Sequence, residues 1–354
     1  MVRVKDEQKS IDELVEEGEK WEDMIFRKEH ITPMCNCINK AAGAYSKMLS
    51  QDKPLAKDKL SLLVKTALER TKCFSYVDLR LKGYASVADI VTMLDDNELA
   101  SKVALDIAYD ARSFSHLSTR LKVYKAALGV AENCGDAREE IGMIMAEDAR
   151  AYSHLDSRLT LYKAALNAVG KSGKARQEIA TRMAEDARVF SHLDSRMKLY
   201  NSALDAAKDF VGVREDVARR MSEDARAFSN LNSRLTFYNA ALKAAKNSEE
   251  ITQDIAIRMA QDASVYSHLE TRMSLYNTAL KAAGDCEDTR TYIAKKLVND
   301  SYSFSSLGAK MSLFKTALKA AGDFEGAREF VVDRIQRKAK DTPRFEKEYL
   351  SLLK

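Results

Sequence analysis

The sequence predicts an all-α fold, a right-handed α-solenoid of about seven 38-residue helix-turn-helix repeats with irregular helical ends. Three observations carry that expectation. A strict period runs through most of the chain. Each period holds two segments with helical spacing of apolar residues. The composition suits helix and not sheet: 354 residues contain only 3 Pro and 13 Gly, too few for a chain of β-strands joined by tight turns.

The period is read directly from the chain. From Glu147 the sequence runs EDARAYSHLDSRLTLYKAAL, from Glu185 EDARVFSHLDSRMKLYNSAL, from Glu223 EDARAFSNLNSRLTFYNAAL and from Gln261 QDASVYSHLETRMSLYNTAL. Asp110, Asp148, Asp186, Asp224, Asp262 and Asp300 share one slot; Arg120, Arg158, Arg196, Arg234, Arg272 and Lys310 share another. Tyr124, Tyr162, Tyr200, Tyr238, Tyr276 and Phe314 keep the same step. A degenerate earlier copy aligns Phe74, Arg80 and Tyr84 with Phe114, Arg120 and Tyr124, with two extra residues expected in the Asp95–Glu98 loop. There Arg70 stands in the Asp slot, the erosion expected of a capping repeat.

Three segments follow: an N-terminal helical cap (1–54), the repeat array (55–340), and a C-terminal tail or short helix (341–354). In the cap, residues 7–29 read as a charged helix carrying Trp21, Met24, Ile25 and Phe26. Segments 36–50 and 56–72 read as two further helices, punctuated by Pro33 and Pro54. Within a repeat, helix A is expected over about 137–153, with Ile141, Met145, Ala149 and Tyr152 on one face. A turn at His154-Leu155 follows, then an N-cap at Asp156 or Ser157. Helix B is expected over about 158–169, burying Leu159, Tyr162, Ala165, Leu166 and Val169. Gly170 and Gly173 fit the loop after it. Ala165, Ala203, Ala241, Ala279 and Ala317 suit close packing of the B helices. A last helix A is expected from Phe330 to Ala339, broken by Pro343, with a short helix over 346–353.

In hairpin length and logic the chain resembles the tetratricopeptide-like class of solenoids, whose octotricopeptide group shares the 38-residue period. The resemblance covers about residues 55–340 and is architectural. The Trp-Leu-Gly-Tyr signature and the unit-end Pro of tetratricopeptides are missing, as is the proline-rich octotricopeptide signature. It implies a fold and carries over no functional residues.

The charge balance, 57 basic against 53 acidic residues, does not mark a general nucleic-acid binder. Residues 148–185 carry seven bases and four acids, residues 110–147 five bases and six acids; a phosphate-tracking groove would be basic throughout. Five Cys at irregular spacing point to a reducing, cytoplasmic setting. The acid-rich first 30 residues do not read as a signal or transit peptide, and no apolar run predicts a membrane span.

The Asp/Arg series is the most regular polar feature. Asp148 late in helix A and Arg158 early in helix B each oppose their helix dipole, so mutual compensation is expected. Asp148 would pair with Arg158 or with the Arg of the neighbouring unit. The histidines His116, His154, His192 and His268 lie one repeat apart, which suits a turn role rather than a shared metal. His30, Cys35 and Cys37 are incomplete as zinc ligands. No catalytic constellation, metal set or cofactor motif emerges. The variable slots remain. On helix B, Lys125, Lys163, Asn201, Asn239, Asn277 and Lys315 occupy one position, flanked by Ala126, Ala164, Ser202, Ala240, Thr278 and Thr316. With the basic run Arg337, Lys338 and Lys340 (joined by Arg334), these are the candidate partner-binding residues. The expected function is a non-enzymatic scaffold for a protein partner or large assembly, with RNA or ribosome binding as the alternative. No membrane partner is expected, and the end segments are candidates for a homo-oligomer contact.

Overall fold

A computed structural model describes residues 9–246 and 248–354. Residues 7 and 8 of the expected N-terminal helix, and the side chain of Phe26, lie outside the described set. Every regular element among the described residues is an α-helix or a short 3-10 turn. In chain order the helices are α1 (Ile11–Phe26), α2 (Ile31–Lys47), α3 (Lys53–Lys72), α4 (Val77–Leu94), α5 (Asn97–Asp110), α6 (Leu117–Val130), α7 (Gly135–Ala149), α8 (Leu155–Val169) and α9 (Gly173–Ala187). They continue as α10 (Leu193–Ala206), α11 (Val211–Asp224), α12 (Leu231–Ala244), α13 (Glu249–Ala263), α14 (Leu269–Ala283), α15 (Glu287–Ser301), α16 (Leu307–Ala321), α17 (Glu325–Asp341) and α18 (Glu346–Ser351). The all-α helical-repeat architecture is that expected from the period.

The chain divides into two compact units, one ending at Ile179 and one starting at Ala180. In the first, α5 packs on α6 and α7 on α8 as hairpins; A helix α5 meets A helix α7, and B helices α4, α6 and α8 follow one another. In the second, α11 packs on α12, α13 on α14 and α15 on α16. There α11, α13, α15 and α17 form an A layer, and α10, α12, α14 and α16 a B layer. Each unit buries its apolar stripes between these two layers.

The stripes follow the sequence with one rotation. Ile141, Met145 and Ala149 of α7 are buried, as are the Met145-slot residues Met183, Met221, Met259, Leu297 and Ile335. On helix B the deepest residues are Leu161, Tyr162, Ala165, Ala168 and Val169; Leu159 and Leu166 are only half-buried. A B helix contacts its own A helix and its B neighbours, so its buried arc is wider than one stripe. The slot of Leu161 holds Val123, Leu199, Phe237, Leu275 and Leu313, all fully buried. Each such side chain contributes about 1.5–3 kcal/mol. The five Ala of the B-helix packing slot are fully buried too.

Several boundaries differ from expectation. Helix A ends at Ala149, four residues early, and Tyr152 lies in the turn. Helix B begins at Leu155, so the N-cap is His154 and not Asp156 or Ser157. The His154 side chain makes no capping bond, whereas Asn230 in the same slot accepts from the backbone N–H of Asn232 and Ser233. Pro33 and Pro54 do not separate helices. They lie in the first turns of α2 and α3, where a missing N–H costs nothing. The two extra residues of the early copy are absorbed by α4, which runs on to Leu94; only Asp95 and Asp96 lie between α4 and α5. Buried Val91 and Leu94 extend the apolar stripe that holds this extra turn in helix. Gly170 caps α8 at φ 56°, as a helix-terminating glycine should, while Gly173 opens α9. At the C-terminus α17 starts at Glu325, before Phe330, and α18 docks through buried Tyr349, edge-on to Phe314 at 6.0 Å.

Candidate interaction surface

The recurring polar residues form a clamp between successive hairpins. In the second unit Asp262 accepts from Arg226 Nε (2.8 Å), Arg234 (3.1 Å) and the Tyr238 hydroxyl (2.7 Å), all from the preceding hairpin. Asp224 takes Arg188, Arg196 and Tyr200 in the same way, and Asp300 takes Arg272 and Tyr276. In the first unit Asp148 takes Arg112, Arg120 and Tyr124, and Asp110 takes Arg80 and Tyr84. The two alternatives left by the sequence are thus resolved in favour of the neighbouring unit. The acid of one hairpin belongs to the arginine 28 residues earlier, not to the one that follows it in its own turn.

Each arginine does more than pair. Nε of Arg120, Arg158, Arg196, Arg234 and Arg272 donates to the carbonyl of the aromatic residue six positions earlier, at 2.5–2.6 Å. Within each unit the guanidinium also lies under the turn aromatic of the next hairpin, Arg120 under Tyr152 at 5.4 Å and Arg234 under Tyr266 at 5.1 Å. Tyr152 and its counterparts are therefore half-buried lids over cations. The inner tyrosines need their hydroxyl to satisfy the acid. Burial and the facing carboxylate both push the Tyr84, Tyr124, Tyr238 and Tyr276 hydroxyls well above their ordinary value. At the C-terminal end the acid's slot holds Lys338, and the tyrosine's slot holds Phe314, with no hydroxyl left to satisfy.

Two arginine rows escaped the sequence reading. Arg112, Arg188 and Arg226 reach both acceptors of the next hairpin's Glu-Asp or Gln-Asp pair. Arg138, Arg176, Arg214, Arg290 and Arg328 donate to carbonyls at the ends of B helices or just beyond them, such as Leu128, Gly170, Ala244, Ala320 and Gly322. Their 38-residue recurrence was the available signal.

The candidate binding residues sit elsewhere. Lys125, Lys163, Asn201, Asn239, Asn277 and Lys315 are all exposed on the solvent side of B helices, and the flanking slot is half-buried in every copy. Lys125 lines a groove of about 230 Å³ between α6 and α8, with Leu128, Arg138, Ala164, Asn167 and Ala168. Asn201 lines a groove of about 500 Å³ between α10 and α12, with Leu204, Arg214, Ala240, Lys243 and Ala244. Six lining residues of the two grooves correspond, 76 positions apart, while Asp205 and Lys208 line only the second. The frame of Leu, Ala and Arg is constant; Lys125 becomes Asn201 and Asn167 becomes Lys243. A third groove, about 560 Å³ and mostly apolar, lies between A helices α3 and α5, under Leu99 and Tyr109.

The basic C-terminal run is partly occupied. Arg337 pairs with Asp333 at 2.9 Å, Lys338 lies over the Tyr302 ring, and Lys340 is exposed. His30 is exposed at the start of α2, while Cys37 is buried in its core face. No group of three His, Cys, Asp or Glu that could hold a metal ion occurs among the described residues. Among those residues no helix is long and apolar enough to cross a membrane.

No family model matches the chain, and comparison with curated proteins finds no match. Solved structures similar to it include a "Circular tandem repeat protein with novel repeat topology and enhanced subunit contact surfaces", at 10% identity over 97% of this chain and 88% of the other, with a TM-score of 0.24. Another comes from "Computational Design of Self-Assembling Cyclic Protein Homooligomers", at 12% identity over 94% and 96%, with a TM-score of 0.11.

Proposed function

We propose that this chain is a non-enzymatic, cytoplasmic helical-repeat scaffold that binds a protein partner through the solvent face of its B helices. One observation carries the reading. The groove between successive B helices recurs with a constant frame and changing exposed residues, Lys125 and Asn167 in one unit, Asn201 and Lys243 in the other. Segments 1–54 and 341–354 act as caps, and they are the places where a homo-oligomer contact would form.

RNA is the competing ligand. It would need exposed rings for stacking or a surface that is basic along the whole array for phosphate. The B-helix rings Tyr200, Tyr238, Tyr276 and Phe314 are fully buried. The test is purification without nuclease, followed by binding of a 20-residue oligouridylate at low salt. The expected outcome is a protein-like 260/280 absorbance ratio and no RNA binding. Co-purified RNA, or a log-log salt slope of several units, overturns the proposal.

A further inference from the structure

We infer that the B-helix stripe over α12, α14 and α16 takes an acidic, extended segment of another protein, with carboxylates three residues apart. The inference rests on the protein-binding reading above and names the chemistry of the partner. Asn239 and Lys243, Asn277 and Lys281, and Lys315 and Lys319 are i, i+4 pairs, each on the exposed face of its helix. Helix α12 packs on α14, and α14 on α16. The three pairs therefore lie side by side on neighbouring helices.

What separates these lysines from the recurring arginines is the lack of a partner. The recurring arginine rows hold acids or helix-end carbonyls. Lys243, Lys281, Lys315 and Lys319 form no ion pair among the described residues, and the Asn239 and Asn277 amides form no side-chain hydrogen bond there. A lysine in a last helical turn also complements the helix dipole. That does not explain Lys315 in mid-helix, and α10 carries Asp205 in the Lys243 slot. Asp205 also sets the edge of the stripe, since its charge repels an acidic ligand.

The spacing selects the ligand's conformation. Packed helices lie about 8–10 Å apart. A polyproline-II chain turns once in three residues, at about 3.1 Å each, or roughly 9 Å per turn. Residues i, i+3 and i+6 of such a segment meet successive helices, placing one carboxylate at each of Lys243, Lys281 and Lys319. Its peptide groups have no internal hydrogen bonds, and an Asn amide offers the donor and acceptor that match one of them. Asn239 and Asn277 stand where two such groups pass.

The experiment titrates the full chain with a fluorescent peptide of three tandem Glu-Pro-Ala triplets, against an isomer with its three Glu contiguous. The spaced peptide should bind several-fold tighter than the isomer. The combined Lys243→Ala, Lys281→Ala and Lys319→Ala variant should weaken it about tenfold or more, while Lys171→Ala with Lys174→Ala, two exposed lysines off the B-helix face, leaves it unchanged. No binding of the spaced peptide, or binding that survives the triple substitution, overturns the inference. Panning a random peptide library on the same protein separates the two levels. Neutral or basic peptides whose binding is lost on Asn239→Arg and Asn277→Arg substitution would sink the acidic ligand and leave protein binding standing. Oligouridylate binding abolished by the triple substitution would overturn both.

Discussion

At the residue scale, Asp262 shows what the fixed positions are for. It is buried, with two guanidinium groups and a phenol as donors. Asp262→Ala leaves Arg234 buried without its carboxylate and should cost about 3–5 kcal/mol, read by urea unfolding. A double-mutant cycle on Arg196→Ala and Asp224→Ala should show coupling of about 1–3 kcal/mol, against less than about 0.5 for Asp224 with Arg234 of its own turn. The tyrosines give a pH signature. The Tyr238 hydroxyl is raised above its ordinary 10.0, by burial first and by Asp262 second. The unfolded chain therefore releases this proton first as pH rises. The contribution is complete below pH 10 and is lost as pH climbs above it. Tyr238→Phe should lose stability less steeply than the parent over that range, in melts taken from pH 8 upward. The Asp and Arg rows were legible in the sequence because their period is strict. The donor's hairpin was not, because both candidates lie at the same end of the helices.

At the scale of the element, type and order were legible and boundaries were not. Helical spacing continues past Ala149 to Tyr152, yet the helix stops. The Tyr152 carbonyl is taken by Arg158 Nε at 2.6 Å and the Arg150 carbonyl by its Nη2 at 3.4 Å. A side-chain donor from the next helix has replaced the next turn of backbone bonds, and apolar spacing alone does not encode that. Close helix approach is equally hidden. A Cβ added at Gly18 of α1 would stand 2.0 Å from the Tyr45 ring of α2. That ring is fully buried and held by its hydroxyl on Glu22 at 2.9 Å. Gly18→Ala gains about 1 kcal/mol of helix propensity. Overpacking of about 1–3 kcal/mol should outweigh it, so the variant should melt earlier, with early loss of amide protection in α1.

At the scale of the molecule, the clamp makes the 38-residue step a physical unit. Deleting residues 225–262 keeps Arg196 on Asp224 and Arg272 on Asp300, and joins α11 to α14 in the register of a native hairpin. Repeat proteins gain stability from neighbour contacts, so this deletion should retain helical circular dichroism per residue and a cooperative melt. Removing residues 225–258 breaks the step by four residues and should abolish both. The candidate surface was legible only as a list of varying slots. That Lys125 and Asn201 line grooves, and that Lys243 joins Asn201 in one, depended on which helices became neighbours.

The sequence by itself determined the repeat, the helical hairpin and most of the buried stripe, because these follow from periodicity along one chain segment. Only the tertiary structure decided which arginine meets which aspartate, where each helix stops, and which lysines remain unpaired. The arginine–aspartate pairing depends on contacts between residues about 28 to 36 positions apart. Local spacing constrains such contacts without choosing among them.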